Sequence, residues 1–208
     1  MSRTRPAPVL GIIGGIGSGK SWVSRGFEEH GAVCINADAL AHRALDDSGV
    51  KERIRARIGD DVFGPGGGID RGLLGQRVFH APEELEALEA IVHPWVETEL
   101  VRELQRAQSD ASVELVVLDV PLLLETGLDR LCDRILFVDA DEETRLTRVK
   151  QNRGWDLDEL KRREKFQKPL KEKKMRADYR IENNLSAGRV RTRIDEIKRQ
   201  IVSDSLIP

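Results

Sequence analysis

Aromatic residues are scarce: five Phe, three Trp and one Tyr make up 4% of the 208 residues, which argues against an extended surface for stacking nucleic-acid bases. Cysteine is scarcer, with only Cys34 and Cys132. Neither falls in a C-x-x-C or Cys/His metal spacing, and both sit among apolar residues, so they read as reduced core thiols. Long apolar runs are missing as well. The first, Val9 to Ile13, is too short for a membrane span or a signal sequence, and a cytoplasmic protein is expected. Net charge is almost absent, at -2, from 34 basic and 36 acidic residues.

That balance conceals an asymmetry. Residues 145–176 hold 13 Lys or Arg against 5 Asp or Glu, a local +8 that leaves -10 for the rest. A concentration of this kind fits either a solvated pair of charged helices or a local anionic ligand. Hydrophobic residues at 39% and charged residues at 34% describe a globular chain, with a length suited to one core carrying insertions.

The apolar runs Val9–Ile13, Ala32–Ile35, Leu115–Leu118 and Arg134–Val138 are short and continuous, as in strands buried on both faces of a parallel sheet, and Tyr179–Glu182 adds a last one. Asp119 and Asp139 follow two of these runs, and ligands of open parallel sheets bind beyond the carboxyl ends of the strands. The 3.6-residue period predicts helices over Ser21–His30, over Val50, Ile54 and Ile58, over Leu85, Leu88 and Val92 after Pro82, and over Val190, Ile194, Ile197 and Ile201. Gly64 to Gly68 reads as a loop. Asp141 and Asp156 are placed as N-caps of two basic helices, with Gly154 between them.

Gly14-Gly15-Ile16-Gly17-Ser18-Gly19-Lys20-Ser21 matches G-x-x-x-x-G-K-[ST] between a predicted strand and a predicted helix. Glycines let the backbone wrap phosphates so that N–H groups and the helix N-terminus meet anionic oxygens. Lys20 reaches the terminal phosphates and Ser21 supplies a magnesium ligand. A plain glycine turn needs neither Lys20 nor Ser21.

Other residues decide the acceptor. No N-K-x-D occurs and no D-x-x-G follows the third strand, which excludes a GTPase. Asp38, just beyond the second strand, fits a base for a hydroxyl proton and equally an N-cap for a helix from Ala39. Asp119 fits a carboxylate acting through the magnesium shell, a residue orienting the acceptor, or a strand-end cap. His93-Pro94 reads as a break between two helices, with His93 structural or touching substrate. His30, His42 and His80 show no metal spacing.

With these residues in place the chain resembles the dephospho-CoA kinase family, which phosphorylates the ribose 3'-hydroxyl of dephospho-CoA. The resemblance rests on the phosphate loop, Ala37-Asp38, Ile69-Asp70-Arg71, Val78-Phe79, Ile91-Val92-His93-Pro94, Leu118-Asp119-Val120-Pro121-Leu122-Leu123, Glu125, Arg176-Ala177-Asp178-Tyr179 and Asn183, in the family's order. It implies an α/β P-loop three-layer sandwich with a five-stranded parallel sheet. The core is placed at 8–45, 111–150 and 177–208, a helical acceptor-side insertion at 46–110 and a lid at 151–176. ATP would meet Gly15, Ile16, Gly17, Ser18, Gly19, Lys20, Ser21 and Trp22, with Arg148, Arg153 and Asn183 added. Asp38 would be the base, and His93, Asp119 and Leu122 would join it in binding dephospho-CoA. The partners implied are ATP, Mg2+ and dephospho-CoA, without nucleic acid or membrane, in a monomer or small homo-oligomer.

The sequence departs from the family pattern at Asn36, usually an aspartate, at Trp22, usually a small hydroxyl residue, and at Leu124, usually aromatic. The competing readings are a kinase for another small molecule, a nucleic-acid-binding ATPase suggested by the +8 segment, and a nucleotide-binding protein without catalysis.

Overall fold

Five strands form a parallel sheet: the central ones are apolar on both faces, and the returns run through α-helices except that between the third and fourth strands, which uses a short 3-10 turn at Leu128–Leu131. The computed structural model describes residues 6–79, 81–184 and 186–205, the Phe79 side chain excepted, so His80 lies outside the described residues. The strands are β1 (Val9–Gly14), β2 (Val33–Asn36), β3 (Val116–Asp119), β4 (Arg134–Asp139) and β5 (Tyr179–Glu182). Their order across the sheet is β2-β3-β1-β4-β5, with every pairing parallel. The helices are α1 (Lys20–Glu29), α2 (Ala37–Ala44), α3 (Ser48–Arg57), α4 (Arg71–Phe79), α5 (Pro82–Ser109), α6 (Glu142–Arg153), α7 (Leu157–Glu164), α8 (Leu170–Met175) and α9 (Ala187–Asp204).

The chain divides into two compact units. The first contains the sheet and comprises residues up to Asn36 and from Leu104 onward. Leu10, Ile12, Val117, Leu136 and Val138 of its strands, with Leu115 just before β3, pack with Val23 and Phe27 of α1 and with Val190, Ile194, Ile197 and Ile201 of α9. The predicted period of α9 is therefore the buried one. A Cβ on Gly26 would come 2.5 Å from Ile194 Cδ1, so glycine sets how closely α1 and α9 approach. A parallel sheet puts all its carboxyl ends on one edge, which gathers Gly14, Asn36, Asp119, Asp139 and Glu182 there.

The second unit, Ala37–Glu103, is helical. Asp47 caps α3 by accepting from Val50 N–H at 3.0 Å, and Val50, Ile54 and Ile58 are buried as their spacing predicts. Phe63 and Ile69 form an antiparallel bridge around the glycine turn at 64–68. The Asp70 carboxylate accepts from the N–H groups of Gly72 and Leu73 at the start of α4.

Pro94 does not separate two helices, contrary to the sequence expectation: it lies inside the continuous helix α5. Proline at 94 removes the amide that would serve the Ala90 carbonyl. Arg53 Nη2 donates to that carbonyl instead, at 3.4 Å, which lets the helix run on. The expected Leu85 face also begins late: Leu85 is exposed, whereas Ile91, Val92, Val96 and Leu100 are buried.

Candidate active site

The β1 strand ends at Gly14, and the chain turns through Gly15–Gly19 before α1 begins at Lys20. Gly17 and Gly19 have φ of 76° and 88°, in the left-handed region where a Cβ is strained. A side chain at Gly19 would also strike Asn183 Nδ2 at 2.3 Å. With Gly19 as the N-cap lacking a side chain, the first N–H groups of α1 point out of the helix end, where an anion fits. Ser18 Oγ is buried without a hydrogen-bond partner among the described residues. Lys20 Nζ donates back to the Gly15 carbonyl at 3.5 Å, which leaves its charge beside the loop. Trp22 is exposed in the first turn of α1.

The outer side of this loop is held by side chains. The Ile16 carbonyl accepts from Arg145 Nη1 at 3.3 Å. Arg148 Nη1 donates to the carbonyls of Gly17 and Ser18 at 3.4 and 3.0 Å, and Asn183 Nδ2 donates to Ser18 O at 2.7 Å. Arg148 Nη2 closes the set on the Asn183 carbonyl at 2.7 Å. The predicted pair Arg148 and Asn183 is thus brought to the loop, where both grip its backbone. Arg153 is placed differently: its guanidinium lies 4.7 Å from the centre of the Trp155 ring, which Arg163 also covers at 4.1 Å. Sequence reading missed Arg145 and its partner Glu164, because an arginine within a run of basic residues carries no pattern that marks it as buried.

At the strand ends, Asn36 Nδ2 donates to Asp119 Oδ2 at 3.0 Å, and Asp119 is 3% exposed. Asp119 and Asp139 are the last residues of β3 and β4 rather than the first beyond them. Leu122 is half-buried in the turn that follows β3. Glu125, farther along that turn, pairs with buried Lys173 of α8 at 3.0 Å and accepts from Lys168 N–H at 2.8 Å. Burial pushes the Glu125 carboxyl up, but Lys173 and the Lys168 amide outweigh it, and the net shift is below the ordinary 4.5.

Asp38 and His93 belong to the helical unit. Asp38 is exposed in the first turn of α2. It is not the N-cap of a helix from Ala39, since the helix already begins at Ala37. His93 is exposed on α5 directly before Pro94. Asp141 and Asp156 do cap α6 and α7, accepting from Thr144 and Glu159 N–H groups at 2.7 and 2.8 Å. Among the described residues no three His, Cys, Asp or Glu side chains gather around a cation position. The exposed Ser21 hydroxyl in the first turn of α1 suits a magnesium ion whose other ligands are phosphate oxygens and water. Among the described residues no helix is long and apolar enough to cross a membrane.

The comparisons with known proteins agree with a glycine loop set on a five-stranded parallel sheet. The family model for dephospho-CoA kinase matches residues 8–188. A dephospho-CoA kinase of Syntrophotalea carbinolica is 38% identical over 93% of this chain and 92% of its own. The crystal structure of TT1252 from Thermus thermophilus is 35% identical, with a TM-score of 0.76 over 94% of this chain and 98% of that one. A shikimate kinase from Acinetobacter baumannii, 20% identical with a TM-score of 0.52 over 99% of this chain and 97% of its own, shares the fold. The match spans the phosphate loop, the strand ends and Asn183 together, and the chain accordingly belongs to the dephospho-CoA kinase family of phosphotransferases.

Proposed function

We propose that the protein transfers the γ-phosphoryl group of ATP to the ribose 3'-hydroxyl of dephospho-CoA, giving CoA and ADP in the last step of coenzyme A formation. The observation that carries this reading is the family match over residues 8–188, which includes the braced phosphate loop.

ATP is bound by the N–H groups and side chains of Gly15–Trp22, with Arg148, Arg153 and Asn183 completing the nucleotide site. Asp38 accepts the proton of the 3'-hydroxyl as its oxygen forms a bond to the γ-phosphorus. The bond from that phosphorus to the β–γ bridging oxygen breaks, and the electron pair leaves with ADP. Lys20 and the loop N–H groups stabilise charge on the transferred group. Ser21 and the phosphate oxygens would hold a magnesium ion, which when bound would neutralise part of that charge. His93, Asp119 and Leu122 join Asp38 in binding the acceptor.

Segment 151–176 serves as a lid and 46–110 as an acceptor-side insertion. Lid closure keeps water from accepting the phosphoryl group. The reaction belongs in the cytoplasm. Product mass after incubation with Mg·ATP and dephospho-CoA tests the reading: a gain of one phosphoryl group on the acceptor is expected, and ADP release without that gain overturns it.

A further inference from the structure

A trans peptide points its C=O and the following N–H in opposite directions. Holding the carbonyls of Ile16, Gly17 and Ser18 outward therefore leaves the N–H groups of Gly17 and Gly19 facing the inner side of the loop, where phosphates bind, while the Ser18 N–H donates to the Gly15 carbonyl at 3.1 Å. Arg148 and Asn183 hold two of these carbonyls. The Ile16 carbonyl depends on Arg145.

Arg145 is only 4% exposed, an unusual place for a guanidinium unless it is paired. Its carboxylate partner is Glu164, the last residue of α7, which bonds to the same Nη1 that reaches Ile16. Arg145 Nε is buried and finds no acceptor among the described residues. The loop packs closely against this residue: a Cβ on Gly15 would lie 3.1 Å from both Arg145 Nη1 and Leu170 Cδ2, and one on Gly17 would lie 2.7 Å from the Arg145 backbone carbonyl.

We propose that Arg145 is a positioning residue for the phosphate loop, and that Glu164 keeps it seated, so that docking of α7 sets how well the loop binds phosphates. The proposal rests on the reading that the loop binds a nucleotide. It makes a prediction opposite in sign to plain electrostatics. A Glu164 acting only through its charge repels phosphates, and its removal would tighten their binding. A Glu164 that seats Arg145 loosens the loop when removed, and phosphate binding weakens.

Calorimetric titration with ADP and with adenosine separates the cases. Arg145→Met is expected to weaken ADP binding about tenfold or more while leaving adenosine binding unchanged, with Arg145→Lys intermediate. Glu164→Ala is expected to weaken ADP binding about 3- to 10-fold, and the double variant to bind ADP no more weakly than Arg145→Met, because both changes break one chain of contacts. Tighter ADP binding by Glu164→Ala would overturn the proposal, as would equal losses for ADP and adenosine or additive effects in the double variant. Wild-type protein that binds ADP but does not phosphorylate dephospho-CoA would remove the proposed acceptor, and the affinity series would still decide the role of Arg145.

Discussion

Asn36 Nδ2 donates a 3.0 Å hydrogen bond to Asp119 Oδ2, joining the last residues of two neighbouring parallel strands. Asp119 is buried, and a buried carboxylate needs donors. The Asn36 amide supplies one. An aspartate at 36 in the same rotamer would instead set two carboxylates against each other. Asn36→Ala should therefore cost about 1 kcal/mol, or roughly 2–4 °C in melting temperature for a chain of this length. Asn36→Asp should cost more. Calorimetric melting checks both, and an unchanged melting temperature in Asn36→Asp would contradict the argument.

The pair formed by Glu125 and Lys173 ties α8 to the turn after β3, and Gln167 Oε1 accepts a further bond from Lys173 Nζ at 3.0 Å. Lys173→Met should be costly, about 3–5 kcal/mol, because it leaves the Glu125 charge without its partner. The folded Glu125 carboxyl titrates below its ordinary 4.5, so its contribution to stability is present above 4.5 and is lost as pH falls through the lower folded value. Glu125→Gln should then be less stable than wild type at pH 7, with the gap narrowing as pH falls below the ordinary 4.5 and through the lower folded value. Urea unfolding across this pH range measures this.

Much of the first unit is legible in the sequence because its signals are local. Continuous apolar runs mark the strands to within a residue or so, Asp141 and Asp156 mark helix starts, and the glycines with Lys20 and Ser21 mark the phosphate loop. Pro94 misleads for a physical reason: the helix break that proline predicts is offset by the Arg53 guanidinium from a different helix. Arg145 is hidden for the same kind of reason. Its burial depends on Ile16 and Glu164, residues 129 and 19 positions away, and nothing within a short window reports them.

Asp38 and Lys20 are assigned different tasks, and separate substitutions test the division. Asp38→Asn should lower turnover about 10²- to 10⁴-fold with ATP binding nearly unchanged. Lys20→Ala should impair catalysis through lost charge stabilisation with dephospho-CoA binding intact. Steady-state rates and calorimetric titration with each substrate measure both effects. Unaltered turnover in Asp38→Asn, or lost dephospho-CoA binding in Lys20→Ala, would contradict the assignment.

Burial pushes the Cys34 and Cys132 thiols up to about 11 and about 12. Since the thiolate is the reactive form, neither should react appreciably with a thiol reagent at pH 8 in the folded protein. Both should react promptly in denaturant. A colorimetric thiol titration that counts two thiols only after unfolding is the expected result, and rapid labelling of the native protein would contradict the burial argument.

The most direct test of the central claim is the rate of ADP release from Mg·ATP with dephospho-CoA, AMP, a pyrimidine nucleotide, pantetheine or a short oligonucleotide as acceptor, with products identified by mass. Selective turnover of dephospho-CoA to CoA is predicted. Preferential turnover with any other acceptor, or ATP hydrolysis indifferent to all of them, would contradict it.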